Sequence, residues 1–153
     1  IPYIYDPAFQ IAVFSKEELQ DGIFSAAILI GNDYEIGLIE NKLEIAHEEL
    51  IAKVPVLITT LGSKGSIIET QKESIHIKPA TIKKDIDPTG AGDAYRAGLI
   101  AGILRGYPLD VAAQMGSVAA AYTVELHGTQ THSYTKKDFI QRYKQNYQTT
   151  IRL

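Results

Sequence analysis

Two stretches of this chain offer no polar face. "AAILIGN" (26–32) and "VPVLITTLG" (54–62) are nearly continuous apolar runs, each closing on glycine or Gly-Asn. A strand of that kind has to be covered on both sides, and doubly covered sheets are built almost entirely from parallel strands joined by helices. Between the two runs, "KLEIAHEELIAK" (42–53) carries Leu43, Ala46, Leu50 and Ile51 at helical spacing, which predicts a helix over that span. Ahead of them, "PYIY" is a short β-type run closed by Asp6-Pro7. "SKEELQDGIF" follows, with Ser15 as N-cap and Glu18 three residues on, the pattern of a capping box. "GSIIETQKESIHIKPA" (65–80) alternates around a polar centre and predicts a β-hairpin. From Gly90 onward the chain reads as helix: two segments split by Gly106-Tyr107-Pro108, then an amphipathic one from Lys136 to about Gln148. Strand–helix alternation followed by helices predicts an α/β fold with a mainly parallel sheet.

The 153 residues suffice for one domain with a real core, and 45% hydrophobic with 22% charged residues is ordinary globular usage. A net charge of −3 with no Lys/Arg run argues against nucleic acid or an anionic membrane as partner. The absence of cysteine removes disulfides, thiolate metal sites and a cysteine nucleophile, and suits a reducing compartment. No apolar run approaches the length of a membrane span. His47, His76, His127 and His132 lack the close paired spacing of a zinc site. The chain opens on Ile1 and runs straight into "IPYIYDPA", which reads as the interior of a longer protein.

The chemistry is concentrated in "DPTGAGDAYRAG" (87–98). A helix N-terminus presents unpaired N–H groups and the positive end of the helix dipole. Glycines ahead of it let the backbone curl so that several N–H groups converge on one anion. Gly90, Ala91 and Gly92 have almost no side chain to obstruct a phosphate, and a side chain at Gly92 is expected to project toward it. Asp93 stands out, because a carboxylate inside an anion hole repels the anion. One reason to keep it is that it takes a proton from an attacking hydroxyl. The plainer alternative is a dipole-favoured carboxylate after a glycine turn.

These twelve residues resemble the signature of the ribokinase-like (phosphofructokinase B) family of carbohydrate and nucleoside kinases, D-[TP]-T-G-A-G-D-x-[FY]-x-A-G. "GNDYEIG" is similar to the family's N-x-x-E motif and "TLGSKGS" (60–66) to its T-x-G-x-x-G segment. "DPAFQ" resembles the family's strand ending in Asp-Pro, and "MGSVAAAYTVELHGTQTH" (115–132) the segment that helps wall the adenine pocket. The wording is closest to bacterial and archaeal adenosine-kinase-like members.

The resemblance implies a ribokinase-like α/β fold, and a cytoplasmic transferase passing the γ-phosphoryl group of ATP to a primary hydroxyl of a nucleoside or sugar. Asp93 would be the base, and the N–H groups of Gly90, Ala91, Gly92 and Asp93 the anion hole. Thr60, Gly62, Gly65 and Gly128 would line the nucleotide. Asn32 and Glu35 would organise Mg²⁺ through water, and Asp87 is the position suggested for a monovalent cation such as K⁺. Family members are roughly twice this length, so residues 1–153 match only the C-terminal, ATP-binding half. The N-terminal half and its lid are expected from a preceding segment, or a second copy of the chain takes their place. Two alternatives stay open: a non-catalytic nucleotide-binding or assembly fragment, and a sugar kinase of the ribokinase or fructokinase type in place of a nucleoside kinase.

Overall fold

The computed structural model describes all residues, Ile1–Leu153. They divide into two compact units, Ile1–His76 and Ile77–Leu153. The first unit carries a sheet in the order β1 (Ile4–Tyr5), β2 (Ile28–Asn32), β3 (Leu57–Thr60), β4 (Ser66–Glu69), β5 (Ser74–Ile77). β1, β2 and β3 run parallel, whereas β4 pairs antiparallel with β3 and leads into β5 through the turn at 70–73. The apolar runs therefore form the parallel strands, and 65–80 forms the hairpin.

Leu29 and Leu57 face one side of the sheet, in a core with Leu19 and Ile23 of α1 (Lys16–Phe24), Ile36 and Ile39 of α2 (Asp33–Leu43) and Leu50 of α3 (His47–Lys53). Ile30 and Ile58, register partners on the opposite face, are also buried. Both faces are thus out of water, as the composition of the strands requires. Ser15 caps α1 with the expected capping box to Glu18. β1 has a neighbour on one side only, and in the segment that follows it in sequence Phe9 and Val13 are 94% and 76% exposed.

One expectation is corrected. The span 42–53 is not a single helix but the end of α2 and the whole of α3. Glu44 takes a left-handed conformation (φ 58°), and amide bonds from Glu44 to Asn41 and from Ile45 to Glu40 close α2. Ala46 becomes the exposed N-cap of α3 and is not a core residue. A helix end and the next helix start can share one apolar period when both press on the same core, so spacing alone does not reveal the break. Periodicity also does not mark where α2 begins, directly after β2.

In the second unit, α4 (Ala91–Leu104) and α5 (Leu109–Val124) meet through their backbones. A Cβ on Gly98 would lie 2.6 Å from the Met115 carbonyl oxygen, and one on Gly116 would lie 2.7 Å from that of Tyr95. α6 (Lys136–Tyr147) packs Phe139 and Tyr143 against Met115, Val118 and Ala119 of α5. Buried Arg142 of α6 donates to both carboxylate oxygens of Glu125 (2.6 and 3.0 Å) and to the Thr81 carbonyl (2.7 Å), which ties the extended segment near Thr81 to the helices. No helix is long and apolar enough to cross a membrane.

His47 is held between Glu40 (Nδ1 to Oε1, 2.6 Å) and Glu69 (Nε2 to Oε2, 3.1 Å), which joins α2, α3 and β4. Burial disfavours the imidazolium, but hydrogen bonds and charge from the two glutamates outweigh it, so the pKa lies above the ordinary value. A raised folded-state pKa means this stabilisation is full below the unfolded value, about 6.5, and is lost as pH rises through the folded one. The urea midpoint of the protein should therefore fall as the pH rises above about 6.5 and through the raised folded-state pKa, and His47→Gln should flatten that slope. An undiminished slope in the variant would assign the pH dependence to another group.

Candidate active site

The carboxyl ends of β2 and β3 lie side by side, with Asn32 opposite Thr60 in register. In open α/β sheets that edge is where ligands bind. Asn32 caps α2: its Oδ1 accepts from the Glu35 N–H (2.8 Å), and Glu35 Oε2 accepts from the Asn32 N–H (2.8 Å). The N-x-x-E motif is thus first of all a capping box, and it leaves Oε1 of Glu35 and the side-chain amide of Asn32 without a partner in the chain. Gly31 makes room for it, since a Cβ there would sit 3.3 Å from Glu35 Oε2. Thr60 reaches back to the Gly31 carbonyl at 3.4 Å. Gly62 and Gly65 both have positive φ (57° and 93°) and close a tight turn in which the Leu61 N–H donates to the Gly65 carbonyl (2.8 Å). His76 fixes that turn through Nε2, 2.8 Å from the Lys64 carbonyl.

The other residues singled out in the sequence belong to the second unit. The Ile86 and Asp87 N–H groups both donate to the carbonyl of Val124, the last residue of α5. Asp87 then accepts from the Thr89 N–H (Oδ1, 2.9 Å) and from the Gly128 N–H (Oδ2, 3.0 Å). Hydrogen bonding from the Thr89 side chain first, then from the Gly128 and Thr89 N–H groups, holds its pKa down to about 2. Asp87 is therefore a clasp between the loop before α4 and the loop after α5, and stays ionised at neutral pH. The loops also touch directly: a Cβ on Gly90 would lie 3.0 Å from Cβ and 3.1 Å from Cα of Thr129.

Gly90 is the N-cap of α4 and is left-handed (φ 83°), with no side-chain cap. Of the four N–H groups expected to form the anion hole, one is engaged within the chain. The Ala91 N–H donates to the Pro88 carbonyl (3.0 Å), because the Pro88–Ala91 turn that delivers the chain into the helix uses it. The N–H groups of Gly90, Gly92 and Asp93 have no acceptor in the chain. The φ of Gly92 is not left-handed, and an added Cβ would approach Nη1 of Arg96 (3.1 Å). Asp93 is exposed on the first turn of α4, with Oδ1 3.0 Å from Arg96 Nη1. Sequence reasoning did not single out Arg96, Thr129 or the Pro88 carbonyl. Only Arg96 left a signal, a cation three residues after a helical carboxylate.

No group of three or more His, Asp or Glu side chains is arranged to hold a metal ion directly. The second unit thus presents a glycine-opened helix N-terminus with unclaimed N–H groups and a carboxylate on its first turn, an arrangement that can receive an anion. The model of the pfkB family of carbohydrate kinases matches residues 1–137, and the chain belongs to that family. It is similar to the nucleoside kinase of Methanocaldococcus jannaschii, 35% identical over 142 residues, covering 93% of this chain and 47% of that protein. It is likewise 35% identical over 140 residues to the nucleoside kinase of Methanothermobacter thermautotrophicus, covering 91% of this chain and 45% of that protein. The solved structure of Burkholderia thailandensis nucleoside kinase in complex with inosine matches with a TM-score of 0.94 at 30% identity, over 98% of this chain and 49% of that one. The chain thus spans about half the length of the relatives it matches.

Gly90→Ala should place a side chain in a left-handed conformation and press it on the Thr129 backbone. A loss of about 1–3 kcal/mol in denaturant unfolding is expected from that strain. A variant as stable as the parent would show that the 87–90 and 128–129 loops do not depend on this contact.

Proposed function

We propose that the protein containing these residues is an ATP-dependent kinase that phosphorylates a primary hydroxyl of a nucleoside. The observation that carries the proposal is the mouth of α4, where three unclaimed N–H groups and Asp93 share one helical turn. Membership of the pfkB family and likeness to proteins named nucleoside kinases support the reaction and favour a nucleoside over a free sugar.

In the proposed reaction Asp93 accepts the proton of the substrate hydroxyl as its oxygen attacks the γ-phosphorus and the bond to ADP breaks. The N–H groups of Gly90, Gly92 and Asp93 donate to the transferring phosphoryl oxygens, whose charge they stabilise without reorganising. The Thr60–Gly65 turn and the Gly128 loop take the nucleotide. Mg²⁺ bound to ATP would neutralise phosphate charge; the free Glu35 oxygen suits accepting hydrogen bonds from its waters, and Asn32, proposed to act there too, would accept through the second lone pair of Oδ1. Asp87, ionised and already shared between two loops, suits the counter-charge of a monovalent cation such as K⁺.

Asp93→Asn keeps the side-chain size and removes the base. A loss of roughly 10²–10⁴-fold in kcat is expected, with ATP binding nearly unchanged. The assay is phosphotransfer by the complete protein against adenosine, inosine, ribose and fructose. Turnover within a few-fold of the parent would remove Asp93 from the mechanism, and phosphorylation of the free sugars alone would move the protein to the sugar kinases.

The open side of β1, a strand followed in sequence by the exposed Phe9 and Val13, is proposed to be covered by the N-terminal half of the kinase, or by a second copy when that half is absent. An unpaired, apolar edge favours association. Sedimentation of these 153 residues alone should show a species larger than the 16.8 kDa chain, and adding the N-terminal half should replace it by a defined pair. A cooperative 16.8 kDa monomer would contradict the proposal.

A further inference from the structure

We propose that Arg96 is the positioning residue for Asp93, that it engages Oδ1 so that Oδ2 is the atom that takes the proton, and that residue 92 is glycine to give the guanidinium room. The proposal rests on the reading of Asp93 as the base.

The two side chains are unequal partners. The Asp93 carboxylate is 85% exposed, and its one hydrogen-bond partner in the chain is Nη1 of Arg96, at 3.0 Å. The Arg96 side chain is only 26% exposed. The guanidinium is therefore the fixed member and the carboxylate the member being held. An exposed aspartate on the first turn of a helix otherwise samples several χ1 and χ2 settings. A base must keep one oxygen on the path of the proton, within hydrogen-bond reach of the hydroxyl. The contact to Oδ1 selects one setting and leaves Oδ2 with no donor in the chain. Such an exposed pair, three residues apart on one helix, adds little to stability, so its consequence falls on geometry.

Gly92 supplies an independent observation. All three of the atoms nearest to a Cβ built there belong to the Arg96 guanidinium: Nη1 at 3.1 Å, Cζ at 3.8 Å and Nη2 at 3.9 Å. Its φ is not one that requires glycine. A methyl group at 92 would thus displace Arg96 by a few tenths of an ångström and move the carboxylate with it.

The test is a set of mutant cycles in the complete kinase. Arg96→Gln should lower kcat by roughly 10- to 100-fold, within the range a general base supplies. KM for nucleoside and for ATP should stay within about twofold, because only the transition state uses the alignment. Arg96→Lys, which restores a cation without the planar fork, should recover part of the loss. In an Asp93→Asn background, Arg96→Gln should cost no more than about twofold, since a residue acting through Asp93 has nothing left to position. Gly92→Ala should lower kcat in the parent and much less in the Arg96→Gln background.

Losses that multiply in the double variant, or a raised KM for ATP at unchanged kcat, would overturn the proposal and make Arg96 a phosphate ligand. Full activity of Asp93→Asn would overturn it together with the base assignment. A readout without turnover separates the two ideas: in carbon-13 spectra the Asp93 carboxyl signal should shift on Arg96→Gln, as expected of a carboxylate that loses its one hydrogen-bond partner in the chain. An Asp93 carboxyl signal indifferent to Arg96→Gln would sink the positioning role even where the kinase reaction proceeds.

Discussion

The contact between the backbones of α4 and α5 sets the geometry of the second unit. With glycine at 98 and 116, the helices approach until a single Cβ would collide with a carbonyl oxygen. Helices this close, antiparallel and joined by a short loop at 105–108, bring the end of α5 to the start of α4. The Val124 carbonyl can then receive the Ile86 and Asp87 N–H groups, and Asp87 can clasp Gly128. The mouth of α4 is held open from outside the helix. That is how its first-turn donors remain unclaimed without a side-chain cap.

Residues that carry the proposed chemistry also hold the fold, and different atoms do the two jobs. Glu35 spends Oε2 on the Asn32 N–H and keeps Oε1. Asp93 spends Oδ1 on Arg96 and keeps Oδ2. The Gly90 carbonyl accepts from the Ala94 N–H as part of the helix, while its own N–H stays available. Removing such a residue changes the scaffold along with the chemistry. Separating the effects therefore needs isosteric substitutions and cycles in place of alanine truncation.

The chain matches about half of each relative's length. Within its sheet, β2 and β3 are covered on both faces and paired on both sides. β1 and β5 are the edge strands, each paired on one side only, and β1 is two residues long.

Much of this was legible in the sequence, for local reasons. Strands without a polar face require a doubly covered sheet, so 26–32 and 54–62 announce their own environment. Ser15 with Glu18, the 65–80 alternation and the Gly106-Tyr107-Pro108 break each act within a few residues, where spacing is reliable. The twelve residues 87–98 likewise announce a glycine-opened helix start. What only the tertiary structure decided concerns partners far apart in sequence or pointing in a direction that spacing does not encode. The helix over 42–53 breaks at Glu44 because the core, not the period, decides where the chain turns. The Ala91 N–H is taken by Pro88 because of the turn that enters the helix. Gly90 needs no side chain because Thr129, in a distant loop, fills the space. Gly92 faces Arg96, a direction fixed by helix geometry and the arginine rotamer. The sequence alone named the residue types and where in the chain they stand; tertiary packing chose which atoms are spent on the scaffold and which are left for a ligand.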